Sequence, residues 1–202
     1  MNLTRGIKLL AIAAALSALP ACWTYSLHPL AEDNDPHLIY DPVLEGKWQS
    51  EDQSSPMLII SGDAKSLSYS LQLVKPHETS CNCDPEDVPD IHYDAHMTQL
   101  GMTRFLDAVP RGDAQGIGAL PAHNILKVLG TPDSLRFIAL NDDWLCNQTR
   151  LRVGECVNGD FLLTSPSNVL QEFLQKHGSD KELFREPDSL VLNRIKEAAP
   201  EK

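Results

Sequence analysis

Two histidine or cysteine clusters in the chain put reactive side chains at spacings that could do chemistry. His92, Asp94 and His96 alternate with Tyr93 and Ala95. In a strand successive side chains point to opposite faces, so this row shares one side and Thr98 extends it. Two imidazoles flanking a carboxylate could hold a divalent metal or relay protons. The same alternation describes the wet face of an ordinary sheet, with Ile91, Tyr93, Ala95 and Met97 turned to the core, and that reading is favoured. His77, Glu78, Cys81, Cys83 and Asp84 crowd into one polar stretch, where thiolate and imidazole suit zinc or copper. Structural zinc sites separate their cysteines by more than the single Asn82 found here, which favours a disulfide or free-thiol loop. His123 is a further candidate if its strand adjoins that of His92.

Nucleophilic and phosphate chemistry find no support. The chain has no Gly-x-Ser-x-Gly elbow, no Ser-x-x-Lys and no His-Glu-x-x-His. Gly116-Ile117-Gly118 lacks the later glycine and lysine of a phosphate loop. The expectation is a protein that is not an enzyme and carries no cofactor.

The amino terminus carries a clearer signal. Arg5 and Lys8 precede an uncharged apolar run from Leu9 to Leu19, followed by Leu19-Pro20-Ala21-Cys22. A basic start, a short apolar stretch and small residues make an export signal. The run is too short for a spanning helix, which needs roughly 20 apolar residues. Leu-x-Ala-Cys directly after it resembles the lipobox of bacterial lipoproteins. That resemblance implies removal of residues 1–21, a diacylglyceryl group on the Cys22 sulfur and acylation of the new amino terminus, palmitate included. Two or more acyl chains anchor stably where one does not. Trp23, in place of the aspartate that retains lipoproteins at the inner membrane, implies the outer membrane where the organism has one. The expected partners are the membrane, through that lipid, and envelope proteins or a small apolar ligand.

With Cys22 spent, Cys81, Cys83, Cys146 and Cys156 remain. An oxidising exported compartment permits disulfides, and four cysteines allow three connectivities. Cys146 and Cys156 flank a short helix-to-strand connection and are the favoured pair.

Charge narrows the partners. The chain holds 17 basic and 28 acidic residues, and loss of Arg5 and Lys8 with the leader takes the net from −11 to −13. Such a surface excludes nucleic acid, which requires a basic footprint. It also opposes attraction of the protein body to anionic headgroups.

These candidates must be positioned by a mostly β domain. Residues 22–42, with three prolines and an acidic patch, read as a tether that becomes ordered near Leu38-Ile39-Tyr40. Strands are expected at 43–50, 57–61 and 67–74, then at 91–100 and 103–109, then at 124–129 and 135–140, with turns at Gly62-Asp63-Ala64-Lys65, Gly101 and Gly130-Thr131-Pro132-Asp133. Asn141 caps a short helix, and Cys156–Thr164 reads as a strand with Asn158-Gly159 as a turn signal. Ser165 and Pro166 start a helix that Gly178 stops, and 187–198 reads as a last helix through Leu190, Leu192 and Ile195. The expected architecture is a β domain over 43–164, an antiparallel sheet or barrel, with a C-terminal helical segment over 165–202 of two or three short helices. Gly46-Lys47-Trp48 resembles the opening motif of lipocalin-type barrels. The resemblance implies that Trp48 plugs the barrel floor, while a core tryptophan beside a flexible glycine is the favoured reading. Trp48 and Tyr69 are candidates to line a small apolar ligand within the sheet, against plain core, the commoner role of both.

Overall fold

The computed structural model of the protein describes residues 24–52, 56–74, 90–112, 122–148 and 151–196. The leader, Cys22 and the Cys81–Cys83 stretch lie outside them. Two short strands, β1 (Tyr25–Ser26) and β2 (Leu38–Ile39), open the chain. A meander follows: β3 (Gly46–Gln49), β4 (Met57–Asp63), β5 (Ser68–Val74), β6 (Ile91–Leu100), β7 (Thr103–Pro110), β8 (His123–Gly130) and β9 (Ser134–Ala139). Helix α1 (Asp142–Asn147), the strands β10 (Gly154–Val157) and β11 (Asp160–Leu163), helix α2 (Ser167–His177) and strand β12 (Leu190–Arg194) complete it.

Alternation along these strands sorts the side chains. Leu58 and Ile60 on β4, Tyr69 and Leu71 on β5, Ala95 and Met97 on β6, and Leu106 and Ala108 on β7 share one core. Each strand pairs antiparallel with the next from β3 to β9. That leaves β3 and β9 as open edges, which expose unpaired backbone groups. β12 fills the gap, with Leu190 opposite Phe137 of β9 and Arg194 opposite Trp48 of β3. The result is a closed, antiparallel, lipocalin-like barrel of eight strands with short helices toward the C-terminal end.

This corrects the expected last helix. Leu190 and Leu192 turn inward while Val191 is exposed, a period of two, because the segment pairs on both sides. Two further differences concern local boundaries. Cys156–Thr164 is no single strand: Asn158 (φ 55°) and Gly159 (φ 100°) supply the two left-handed residues of a tight turn, giving a β10–β11 hairpin. Helix α2 begins at Ser167 behind Pro166, and the Ser165 hydroxyl donates to the Arg152 carbonyl instead of capping it. Asn141 does cap α1, accepting from the Trp144 N–H, and Gly178 ends α2.

The expected tether is also different from Thr24 onward. β1 lies between β8 and β11, and β2 pairs with β6. Leu30 is fully buried in a second core outside the barrel wall. Phe105, Ile125 and Ile138 supply the wall side of that core, and Leu170, Phe173 and Leu174 of α2 cover it. The Pro29 carbonyl accepts from Ser167 Oγ (2.7 Å) and the Leu30 carbonyl from Gln171 Nε2 (2.9 Å). Prolines and acids made the segment look free, but its backbone is satisfied by partners far along the chain.

One end of the barrel is sealed. A 3-10 turn, Pro42–Leu44, crosses it and drops Leu44 into the interior. Trp48 is fully buried beneath that turn, its indole N–H donating to the Leu44 carbonyl (2.8 Å). The Arg194 guanidinium stacks 4.1 Å from the Trp48 ring and donates to the carbonyls of Val43 (2.8 Å), Glu45 (2.6 Å) and Pro132. Gly46 is required where it stands: its φ is +136°, and a Cβ there would meet Arg194 Nη1 at 2.4 Å. Trp48 is thus a buried core side chain at the sealed end, and Arg194 is a partner for it that the sequence did not announce.

Trp48→Ala should lower unfolding free energy by about 3–5 kcal/mol, the range for deleting a large buried aromatic. Arg194→Lys keeps the charge and loses the fork, so its urea midpoint should also fall clearly. An unchanged midpoint for the lysine variant would mean that strand pairing alone closes the barrel.

Candidate functional site

The barrel interior is the first place to look for a site, and it is filled. Trp48, Met97, Leu106 and Leu135 are at most 1% exposed, and Leu58, Leu71, Leu126 and Phe137 pack above them. Trp48 and Tyr69, the residues expected to line a ligand, belong to the sealed floor. The Tyr69 hydroxyl accepts from the Asp41 N–H (2.7 Å), and its ring stacks on Tyr40 at 5.2 Å. Tyr40 in turn donates to Glu45, which pushes its hydroxyl up to about 12; burial pushes that of Tyr69 to about 12 as well. Both phenols remain protonated donors at neutral pH. A depression of about 330 Å³ is bordered by Gly46, Lys47, Ile59, Ile60, Arg194 and Ile195.

Asn124 is a polar side chain that faces the packed interior. It shares the inward face of β8 with Leu126 and Val128, and its Nδ2 donates to the Ala108 carbonyl (3.2 Å). Its Oδ1 is buried without a protein partner. Ala95 and Ala108 stand in register beside it, both nearly fully buried.

The β6 row lies on the outer face, as its alternation requires: Ala95 and Met97 are in the core, while Asp94 is exposed. Asp94 is engaged by Arg111, whose Nε donates at 3.1 Å and whose Nη2 also contacts it. That hydrogen bond holds the Asp94 carboxyl below its usual range. His96 Nδ1 lies 3.2 Å from the Leu67 carbonyl. His92 and His96 are four residues apart, which on a strand is about 13 Å, further than two imidazoles comfortably span around one ion. Among the described residues no three His, Cys, Asp or Glu side chains gather to hold a metal. The Cys81, Cys83, His77, Glu78 and Asp84 stretch lies outside those residues.

His123 does not join that row. Its Nδ1 meets Asp107 Oδ1 at 2.8 Å across the β7–β8 pair. Asp107 is 5% exposed, and its other oxygen accepts from the Leu30 N–H at 2.7 Å. A buried carboxylate orienting an imidazole is the pair that triads use. The hydroxyl in register with His123, Ser26, is fully buried and donates to the His28 carbonyl instead (2.7 Å). The dyad therefore fastens the N-terminal segment to the barrel wall.

A second buried carboxylate was not singled out by sequence. Asp142, 2% exposed, accepts from Thr24 Oγ1 (2.7 Å) and from the Phe161 N–H (3.4 Å). Arg185 approaches its other oxygen at 3.5 Å. It joins β1, α1, β11 and the segment before β12. Burial raises the Asp142 carboxyl above its usual range, partly opposed by Thr24 and Arg185. Close by, Cys146 of α1 and Cys156 of β10 form the expected disulfide across a separation of 10 residues.

Comparison with protein-family models, with curated proteins and with solved structures returns no match.

The raised Asp142 carboxyl keeps its proton in the folded state to a higher pH than in the unfolded chain. Its share of stability is therefore present below 3.8 and lost as pH rises through the folded value. Urea midpoints across that window should show Asp142→Asn gaining on the parent protein as pH rises; parallel curves would contradict the assignment. Reduction of the Cys146–Cys156 bridge, or its double serine variant, should cost about 2–3 kcal/mol on the loop-entropy model, read from the same titrations.

Proposed function

We propose that the chain is a non-enzymatic envelope lipoprotein, anchored through lipid on Cys22, whose barrel serves as a rigid scaffold. The observation that favours a scaffold over a carrier is the filled interior, where Trp48, Met97, Leu106 and Leu135 occupy the volume a ligand would need. Two features bear on the clusters the sequence offered. Arg111 engages Asp94 of the His92–Asp94–His96 row, and Ser26, the hydroxyl in register with His123, donates to the His28 carbonyl. The anchoring half of the proposal rests on Leu19-Pro20-Ala21-Cys22 behind an uncharged apolar run. Where the organism has an outer membrane, Trp23 after the cysteine favours placement there. The acidic surface leaves the lipid, rather than charge, as the force that holds the protein there.

Native-host fractionation tests the anchor. The parent protein should be found in the membrane fraction, lacking residues 1–21 and carrying acyl mass on Cys22, and Cys22→Ser should release it. A retained leader, or an unmoved serine variant, would remove the lipoprotein reading. Mass spectrometry of the purified domain should find no stoichiometric lipid in the barrel; finding one would replace scaffold by carrier, with Asn124 Oδ1 as the group to which its donor would point.

A further inference from the structure

We infer that the face built by α1 and the β10–β11 hairpin is the one this domain sets against the bilayer. The inference rests on the reading of Cys22 as the lipidated residue, and adds to it the orientation of the domain. Its basis is the shortness of the leash. Only Trp23 separates Cys22 from Thr24, and two residues span at most about 7 Å. The polar layer of one leaflet is itself about 5–7 Å thick, so the chain between lipid and Thr24 bridges that layer and little more.

Thr24 is not free to swing away. It is 2% exposed, and its hydroxyl donates at 2.7 Å to Asp142, the first residue of α1. Asp142 accepts at the same oxygen from the Phe161 N–H of β11, and Tyr25 stands in parallel register with Leu162. The attachment point is thus wedged between α1 and β11, and the Cys146–Cys156 bridge clamps that helix to the hairpin. A surface within a few ångströms of Thr24 is carried to the headgroups whatever the rest of the domain prefers. Val157, at the tip of the hairpin and one strand beyond β11 from β1, is the exposed large apolar side chain of these elements, 48% exposed. Asp143, Glu155 and Asp160 are exposed on the same elements, so attraction to anionic lipid does not hold this face down. The covalent leash does. β4 stands four strands round the barrel from β8, which places the β4–β5 turn with Lys65 on the opposite wall.

The test uses full, processed, lipid-bearing protein in phosphatidylcholine vesicles with brominated acyl chains, which quench tryptophan on contact. Trp23→Phe and Trp144→Phe lower the background, and Trp48 remains as a buried internal reference. Val157→Trp should then be quenched several-fold more than Lys65→Trp. A long Gly/Ser linker inserted between Trp23 and Thr24 should abolish the difference, because a flexible spacer frees the orientation. Equal quenching at the two positions, stronger quenching at 65, or indifference to the linker would overturn the inference while leaving the anchor intact. Acyl mass missing from Cys22 would instead bring down the lipoprotein reading, and the orientation with it.

Discussion

The fold depends on one contact between its two ends: the Arg194 guanidinium on the Trp48 indole. Trp48 sits on the first barrel strand and Arg194 at the end of the last, so the stack forms only when β12 has come home between β9 and β3. The guanidinium fork also satisfies carbonyls of Val43, Glu45 and Pro132, groups that the seal would otherwise leave without donors. Gly46 is the backbone's concession to this arrangement, since a side chain there would occupy the place of the arginine. A planar cation with several fixed donors suits the position in a way that lysine does not.

Much of the barrel could be read from alternation. The β4–β5 hairpin emerged from the alternation of Leu67–Val74, although its turn falls at Ala64–Leu67 with Gly62 and Asp63 still paired in β4; the β6–β7 and β8–β9 hairpins emerged from apolar runs interrupted at Gly101 and at Gly130-Thr131-Pro132-Asp133. β12 did not, for a physical reason. Leu190, Leu192 and Ile195 fit two and three residue steps alike, and five residues are too few to separate the periods; only the open edges of β3 and β9 decide. The N-terminal segment failed similarly. Its order comes from Asp107, Ser167 and Gln171, partners 77 to 141 residues away, and no local pattern announces them.

The polar clusters divide along the same line. That His92, Asp94 and His96 share a face was legible, because a strand enforces it. That Arg111 would neutralise Asp94, or that His123 would settle on Asp107, depends on the register between neighbouring strands, which the sequence does not display. Asp142 stands in the first turn of the helix that Asn141 caps. It is in addition the acceptor that joins four separate pieces of chain, a role visible only once Thr24 and Arg185 are in place.

Two buried carboxylates thus do for the N-terminal segment what Arg194 does for the barrel. Asp107 holds it at Leu30 and Asp142 holds it at Thr24, six residues apart, each accepting hydrogen bonds in surroundings where an unpaired charge would be expensive. A chain fastened twice so near its start cannot act as a flexible arm. If the lipid is on Cys22, the domain is set on the membrane in one attitude, and the loops on its far side are presented in a fixed direction. A solid barrel is well suited to that task, because stiffness at the floor and stiffness at the attachment point are worth little unless the body between them is packed. Filled core and sealed end belong together mechanically, and a lipid on Cys22 would add a short leash to the same rigid body.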